Sequence, residues 1–187
     1  MKAQQIETYT REKIQSIRKL RSDSKRRAAL ASLRRGAGRE PGEVPEAWGV
    51  VLERMPYELY NASGRLSAAE IAVYNALTLY ALHQEGKDAQ LQCMHHEGVS
   101  LGNAVARLGS DDDKERIWKR FLRVATAPDI KEAVYFLRNI IQLLRAAGIG
   151  FDYGELAKDL YFLQYETAAD NVRLKWSQSF YSTAPAE

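Results

Sequence analysis

Four basic side chains recur along one face of a segment that has the pattern of an amphipathic helix. Arg116, Lys119, Arg120 and Arg123 follow one another at i, i+3, i+4 and i+7, the spacing that brings side chains together on a helix. The opposite face of that helix would be apolar, with Ile117, Trp118, Phe121, Leu122 and Ala125. A guanidinium presents a planar fork of donors that matches phosphate oxygens. The pattern therefore predicts a helix that buries one face and binds a polyanion with the other.

The segment from Pro128 to Gly148 predicts a second helix of the same kind. One stripe of it carries Lys131, Tyr135, Arg138, Gln142 and Arg145, and the remaining positions are almost all apolar. The three cations recur every seventh residue, so their row drifts by only about 20° per repeat on a straight helix. Such a row suits a groove that follows a nucleic-acid strand. Tyr135 is the one aromatic residue predicted to lie on the polar stripe. The other aromatic residues mostly have core spacing and are predicted to be core first, with base stacking as the second choice.

A third group of cations flanks a glycine-rich loop. Arg34, Arg35 and Arg39 surround Gly36 and Gly38, where a backbone without side chains could approach a phosphate closely. The spread of basic residues favours binding that does not depend on base sequence. The candidate nucleic-acid-binding residues are therefore Arg34, Arg35, Arg39, Arg116, Lys119, Arg120, Arg123, Lys131, Arg138 and Arg145.

Other residue clusters that could carry chemistry have simpler explanations. Cys93–His96 is the only cluster of soft metal ligands, and it lacks further ligands at a recognisable spacing, which favours a polar loop. His83, at the end of a helical pattern, is interpreted as a dipole partner or a packed histidine. Asp111–Asp113 precedes a helix and favours N-capping. Gly36–Gly38 follows no strand and precedes no phosphate-binding motif. We therefore predict no catalytic residues, no metal and no cofactor.

Helix signals dominate the whole chain and predict an all-α fold. Five pairs have the spacing of a capping box: Ser67/Glu70, Asp112/Glu115, Asp129/Glu132, Asp152/Glu155 and Thr167/Asp170. Besides the two basic helices, the predicted helices cover 6–20, 24–35, 45–52, 67–85, 100–108, 152–164 and 167–181. The prediction is a compact bundle of about nine helices. It is taken as a single all-helical domain, 1–187, with two packed lobes, 1–98 and 99–187, as an alternative.

Composition indicates an ordinary globular protein, and the distribution of charge suggests either a polyanion-facing side or, as the alternative, a set of solvated helix faces. Of its 187 residues, 45% are apolar and 27% charged. The net charge is +8 over 1–40, −5 over 41–106, +3 over 107–145 and −3 over 146–187. Two basic blocks thus alternate with two acidic ones, which suggests a polyanion-facing side. The single cysteine, an N-terminus without an apolar core and the lack of a long apolar run predict a cytoplasmic protein with no membrane segment.

Several short motifs, in order along residues 30–180, resemble those of a known family. They are Leu33–Gly38 with Pro41, Pro45 and Trp48, then Leu82–Gln84, Ser100–Ala104, Lys119–Phe121, Leu137-Arg138, Asp152-Tyr153 and Val172-Arg173 with Trp176. The ordered set is similar to that of the CasB-type small subunits of type I-E CRISPR Cascade complexes. The resemblance points to Arg34, Arg35, Lys119, Arg120 and Arg138 as binding residues.

The resemblance implies a non-catalytic, all-helical subunit of a ribonucleoprotein that serves antiviral defence. Its partners would be the backbone and large Cascade subunits, a second copy of itself, the crRNA and the target DNA. It would bind nucleic-acid backbone and stabilise the guide–target R-loop, including the displaced strand. The alternative is a DNA-binding regulator, because residues 101–108, 109–111 and 112–124 could form a helix-turn-helix. No constellation of residues supports an enzyme.

Overall fold

The computed structural model describes residues 1–182, apart from the side chain of Asp111, and within that range it contains nine α-helices. They are α1 (Lys2–Arg18), α2 (Asp23–Arg35), α3 (Pro45–Leu52), α4 (Ala68–His83), α5 (Leu101–Ala106), α6 (Lys114–Ala125), α7 (Ile130–Ala147), α8 (Tyr153–Phe162) and α9 (Glu166–Tyr181). Two short 3-10 turns, Pro41–Glu43 and Asp111–Asp113, precede α3 and α6. The all-α prediction is confirmed.

Three of the predicted helix caps are present. Ser67 and Glu70 form the reciprocal capping box: Ser67 Oγ accepts from the Glu70 amide at 3.0 Å, and the Glu70 carboxylate accepts from the Ser67 amide at 2.7 Å. Asp129 accepts from the Glu132 amide at 2.8 Å at the start of α7. Asp152 caps α8. These caps satisfy amides that the helix itself leaves unpaired.

Two of the predicted capping boxes, Asp112/Glu115 and Thr167/Asp170, are wrong. The acidic triplet winds into a 3-10 turn that continues into α6, so Asp113 already has helical φ and ψ angles and its side chain caps nothing. Its carboxylate binds Arg116 instead, at 2.5 Å. At α9 the chain leaves α8 through a tight turn, and the amide of Ala168 already donates to Tyr165 O. The helix therefore begins at Glu166, and Thr167 lies inside it.

The central helix is α4, which is buried along most of its circumference and packs against α1, α2, α7 and α8. A helix that is apolar on all sides can be stable only in such a position. Most of the buried apolar residues form one cluster that extends from Ile6 in α1 to Phe180 in α9. The single domain and its alternative, the lobes 1–98 and 99–187, stay predictions. Within residues 1–182 no helix combines the length and the apolar character that a bilayer crossing requires.

The connection after α4 was predicted to be polar, but part of it is buried. The Gln84 side chain holds this connection in place by two hydrogen bonds. Its amide nitrogen donates to Gln92 O at 2.9 Å, and its carbonyl oxygen accepts from the Met94 amide at 2.9 Å. Cys93 and Met94 consequently lie in the interior. The same geometry fixes the end of α4, and with it Glu85, beside α2 and α7.

Candidate nucleic-acid interface

The basic face of α6 points away from the core. Ile117, Phe121 and Val124 are buried against the other helices, while all four cations of the predicted row are exposed. The helix is strongly amphipathic because its apolar residues repeat at intervals of three and four. The sequence therefore placed Arg116, Lys119, Arg120 and Arg123 on the solvent side correctly.

Carboxylates of the preceding 3-10 turn and of α6 itself neutralise two of these four cations. Arg116 pairs with Asp113 at 2.5 Å, and Lys119 pairs with Glu115 at 2.7 Å. Exposed pairs of this kind are weak, so a phosphate could displace them at little cost. Arg120 has no carboxylate partner among the described residues.

A cleft of about 400 Å³ lies between α6 and α7. Its lining contains cations, amides and apolar groups but no acidic residue: Arg120, Arg123, Phe136, Asn139, Ile140, Gln142 and Leu143. The Arg123 guanidinium stacks over the Phe136 ring, 4.2 Å from its centroid. A cation–π contact holds the guanidinium in place without neutralising its charge. The cleft therefore presents two arginines that remain available to an anion.

The predicted stripe on α7 runs along the segment that joins α2 to α3. Lys131 pairs with Glu40 at 3.6 Å, and Arg138 packs on Gly38. Arg145 pairs with Glu85, which follows the end of α4. The two groups of cations that the sequence left separate, on α7 and around the glycine loop, are thus neighbours. Together with the α6 face they form what we call the basic surface: Arg34, Arg35, Arg39, Arg116, Lys119, Arg120, Arg123, Lys131, Arg138 and Arg145.

The two glycines of the loop serve protein side chains rather than an open approach for phosphate. Gly36 lies under Tyr74, whose hydroxyl donates to Gly36 O at 3.2 Å, and an added Cβ would meet that hydroxyl at 2.5 Å. Gly38 has φ +78° and carries the Arg138 side chain directly on its backbone. Only glycine adopts such a φ without strain. The loop therefore positions Arg138, which has no ion pair among the described residues.

Glu85 is shared by two of the predicted cations. Its carboxylate binds Arg145 and also Arg34, the latter at 3.3 Å, so α2, α4 and α7 meet at one acid. Arg35 and Arg39 are both exposed. Arg35 contacts Ser32 Oγ at 3.3 Å, and Arg39 has no ion pair within the described part of the chain.

Sequence reasoning missed the residues that come from elsewhere in the fold. Phe136 was predicted to be core, yet its ring carries Arg123 at the edge of the cleft. Asn139 had no assigned role and lies in the cleft lining. Glu40 and Glu85 were not considered, although they neutralise three of the ten candidates. Helical spacing within one segment could not have indicated the contacts of Arg123, Lys131, Arg34 and Arg145, because each contact joins two segments that are distant in the sequence.

The soft-ligand cluster is part of the packing. The Cys93 thiol lies 3.7 Å from the Tyr80 hydroxyl, and His95 Nδ1 accepts from the Tyr153 amide at 3.1 Å. His83 is a packed histidine: it is fully buried, its Nδ1 lies 2.9 Å from the Tyr153 hydroxyl, and burial lowers its pKa to about 4. In residues 1–182 no three acidic, cysteine or histidine side chains are grouped so that they could hold a metal ion.

Fold and site define the class as an all-α protein with a solvent-facing basic surface built mainly on two consecutive amphipathic helices. The family model for CRISPR-associated protein Cse2 matches residues 29–181. The chain belongs to the Cse2 family, and the resemblance to CasB-type proteins is confirmed.

Solved structures agree with this assignment. The crystal structure of CasB from Thermobifida fusca is 33% identical in sequence, with a TM-score of 0.78 over 95% of this chain and 98% of that chain. CasB from Thermus thermophilus is 24% identical, with a TM-score of 0.69 over 95% and 98% of the two chains. A chain of a CRISPR RNA-guided surveillance complex is 19% identical, with a TM-score of 0.70 over 97% and 96%. The last two likenesses show the fold alone. A search of curated protein sequences gives no match.

Proposed function

We propose that this protein is a non-catalytic subunit of a CRISPR RNA-guided surveillance complex of the Cascade type. In that complex it binds the nucleic-acid backbone through the basic surface and stabilises the guide–target R-loop, including the displaced DNA strand. Its partners are the backbone and large subunits, a second copy of itself, the crRNA and the target DNA. Membership of the Cse2 family and the fold of a surveillance-complex chain support this proposal.

The observation that carries the proposal is the cleft between α6 and α7. Arg120 and Arg123 line it, no acidic residue does, and neither arginine has a carboxylate partner among the described residues. A phosphate entering the cleft therefore gains two cations without displacing an ion pair. The ten cations of the basic surface also come from α2, α6, α7 and one loop, an arrangement that suits a backbone more than a row of base edges.

Modest contacts of this kind are enough for the proposed role. R-loop formation exchanges one duplex for another of similar stability, so the balance is close to even. Backbone contacts to the displaced strand then shift the equilibrium toward the open state. They need not read sequence, because the guide supplies it by base pairing.

The helix-turn-helix alternative requires α6 to project as a recognition helix. In this fold α6 packs along α7, and two of its four cations, Arg120 and Arg123, line the cleft between the two helices. The preceding α5 has only six residues and packs mainly against α9. These contacts favour the backbone-binding proposal over a sequence-reading regulator.

The test reverses charge in the cleft with Arg120→Glu/Arg123→Glu. Surveillance complexes assembled with this variant should bind target DNA more weakly. At complex concentrations that saturate the target, thymines of the displaced strand in the R-loops that form should be more reactive to permanganate. The control is Lys2→Glu/Arg65→Glu, which makes the same change in net charge at two exposed residues outside the basic surface. A variant that protects the displaced strand as well as the control does would contradict the proposal.

The affinity of the isolated protein for nucleic acid, measured over a series of salt concentrations, separates backbone binding from the sequence-reading regulator. Backbone binding predicts weak affinity for single strands of unrelated sequence, with a log–log slope of about −2 to −4 against salt, since a few phosphates are neutralised. Tight binding to one duplex sequence and not to others would favour the regulator.

A further inference from the structure

Tyr135 is a large aromatic residue on the exposed ridge of α7, inside the basic surface. Its side chain is 60% exposed, and its ring meets the Phe136 ring edge-on with centroids 5.5 Å apart. On a helix with 100° per residue, Tyr135 lies about 60° around the axis from Arg138 and about 100° from Phe136. Tyr135 therefore lies between Arg138, which packs on the glycine loop, and the arginines of the cleft.

On α7, Tyr135 has two exposed charged neighbours on its N-terminal side, Lys131 at i−4 and Glu132 at i−3, and uncharged amides on its C-terminal side. Gln142 and Asn139 follow it along the cleft side of α7, and both are exposed. Arg138 lies about 4.5 Å further along the helix axis than Tyr135, a distance that a flexible strand can easily span. An aromatic face between two sets of unpaired cations is the combination that single-strand-binding grooves use: cations hold the phosphates, and the ring stacks with a base.

The adjacent Phe136 cannot take this role. Arg123 covers one face of its ring at 4.2 Å, and the remainder of the side chain packs against the core. Tyr135 keeps a solvent-facing ring that duplex DNA could not use, because paired bases hide their faces inside the stack.

We propose that Tyr135 stacks with an unpaired base, so that the basic surface binds single-stranded nucleic acid in preference to duplex. The inference rests on the proposed function and goes beyond it by assigning a base-contacting residue and the class of ligand. Stacking is tolerant of sequence, since every base has a π-face, and so it fits a surface that holds strands of any sequence.

The test compares three oligonucleotides of equal length: a single strand, a duplex and a single strand of abasic sites with the same phosphates. Titrations at 50 mM salt, followed by fluorescence anisotropy, use the full chain and its variant Tyr135→Ala. The variant should bind the single strand about 5- to 150-fold more weakly, which is the range for loss of one stacked base. Its affinity for the abasic strand and for the duplex should not change.

Two further variants separate stacking from other effects. Tyr135→Phe keeps the ring and should retain single-strand affinity, and Tyr57→Ala removes a tyrosine that is 80% exposed and lies outside the basic surface, so it should change nothing. The slope of affinity against salt should be equal in wild type and Tyr135→Ala, because no charge is lost.

Each outcome decides between the two proposals. Equal losses on the abasic and the base-containing strand, or no loss on either while the wild type binds both, would overturn the stacking inference and leave the backbone-binding function standing. If the wild type binds none of the three oligonucleotides, the proposed function fails as well. A 2-aminopurine base in the single strand gives a second readout: its fluorescence should be quenched by wild type and by Tyr135→Phe but not by Tyr135→Ala.

Discussion

The guanidinium of Arg138 lies directly on the backbone of Gly38, so that α7 and the loop after α2 touch through one side chain. A Cβ at Gly38 would come within 2.7 Å of Arg138 Nη1 and 2.8 Å of its Cδ. Arg138 Nε is buried and has no hydrogen-bond partner in the described part of the chain. The glycine therefore determines where an uncompensated cation of the basic surface sits.

Gly38→Ala should destabilise the protein and displace Arg138. The residue has φ +78°, a conformation that costs a side chain of order 1–3 kcal/mol, and the new methyl group also collides with the guanidinium. We expect the free energy of unfolding to fall by about 2 kcal/mol or more, and single-strand affinity to fall with it. Urea denaturation and anisotropy titrations measure the two effects.

Gly64→Ala is a matched control for Gly38→Ala, because Gly64 has nearly the same φ, +79°, with nothing within 4 Å of an added Cβ. It carries the backbone strain without the collision. The double variant Gly38→Ala/Arg138→Ala removes the collision. It should therefore regain the free energy of unfolding that Gly38→Ala loses beyond the loss in Gly64→Ala. Equal destabilisation by Gly38→Ala and Gly64→Ala would show that the contact with Arg138 has no energetic consequence.

The shared carboxylate of Glu85 should limit how strongly the basic surface binds. Glu85→Gln removes the charge that neutralises Arg34 and Arg145, so both become available to phosphates. We expect higher affinity for nucleic acid and a salt slope that is steeper by about one or two units, one for each additional phosphate neutralised. Stability should change little, because the carboxylate is 40% exposed and exposed pairs are weak.

Glu58→Gln is the control for Glu85→Gln, since it changes net charge equally at an exposed acid outside the basic surface. Long-range attraction should raise affinity slightly in both variants, and only Glu85→Gln should change the slope. An identical slope in the two variants would mean that Arg34 and Arg145 do not contact phosphate.

The positions of the helices were predictable from the sequence because their signals are local. Apolar periodicity and the caps at Ser67, Asp129 and Asp152 lie within a few residues of the structure they specify. The exposure of Arg120 and Arg123 followed from the same periodicity. The wrong cap at Asp112 shows the limit: a 3-10 turn and an α-helical start share the same local residues.

The contacts among the candidate residues could not be predicted, because they join segments far apart in the chain. Arg34 and Arg145 meet at Glu85 only when α2, α4 and α7 have packed. The spacing of residues within α7 says nothing of which acids approach it. The sequence therefore identified the cations of the surface but not those that a carboxylate already neutralises.

Asp152 should contribute more to stability than a helix cap alone. It caps α8 through the amides of Gly154 and Glu155, and it also accepts from Arg11, at 2.5 Å, and from the amide of Gly98. Burial alone would raise its pKa, but Arg11 and these amides outweigh burial and lower it. We expect Asp152→Ala to lower the free energy of unfolding by about 2–4 kcal/mol, measured by urea denaturation.

Asp129→Ala is the comparison for Asp152→Ala. Asp129 caps α7 through the amide of Glu132 and is exposed, so its loss should cost about 1 kcal/mol, the usual value of a cap. If both variants lost the same stability, the contacts from Asp152 to α1 and to the loop at Gly98 would add nothing to the cap.

Asp159 should make stability fall as pH rises through the weakly acidic range. The carboxylate is buried between α8 and α9, where it accepts from Lys175 and, at 2.7 Å, from Trp176 Nε1. Burial raises its pKa from the ordinary 3.8 to about 6, against the opposing effect of Lys175. The folded protein thus holds this proton more tightly than the unfolded chain, so the stabilisation is present below about pH 4 and lost as pH rises through about 6. The total stabilisation is about 3 kcal/mol.

In Asp159→Asn, which keeps the shape and an acceptor for Trp176, that contribution is absent. Denaturation curves at pH 4, 5, 6 and 7 should therefore show wild type losing stability relative to the variant. A constant difference across that range would mean that Asp159 is ionised throughout, with Lys175 compensating fully for its burial.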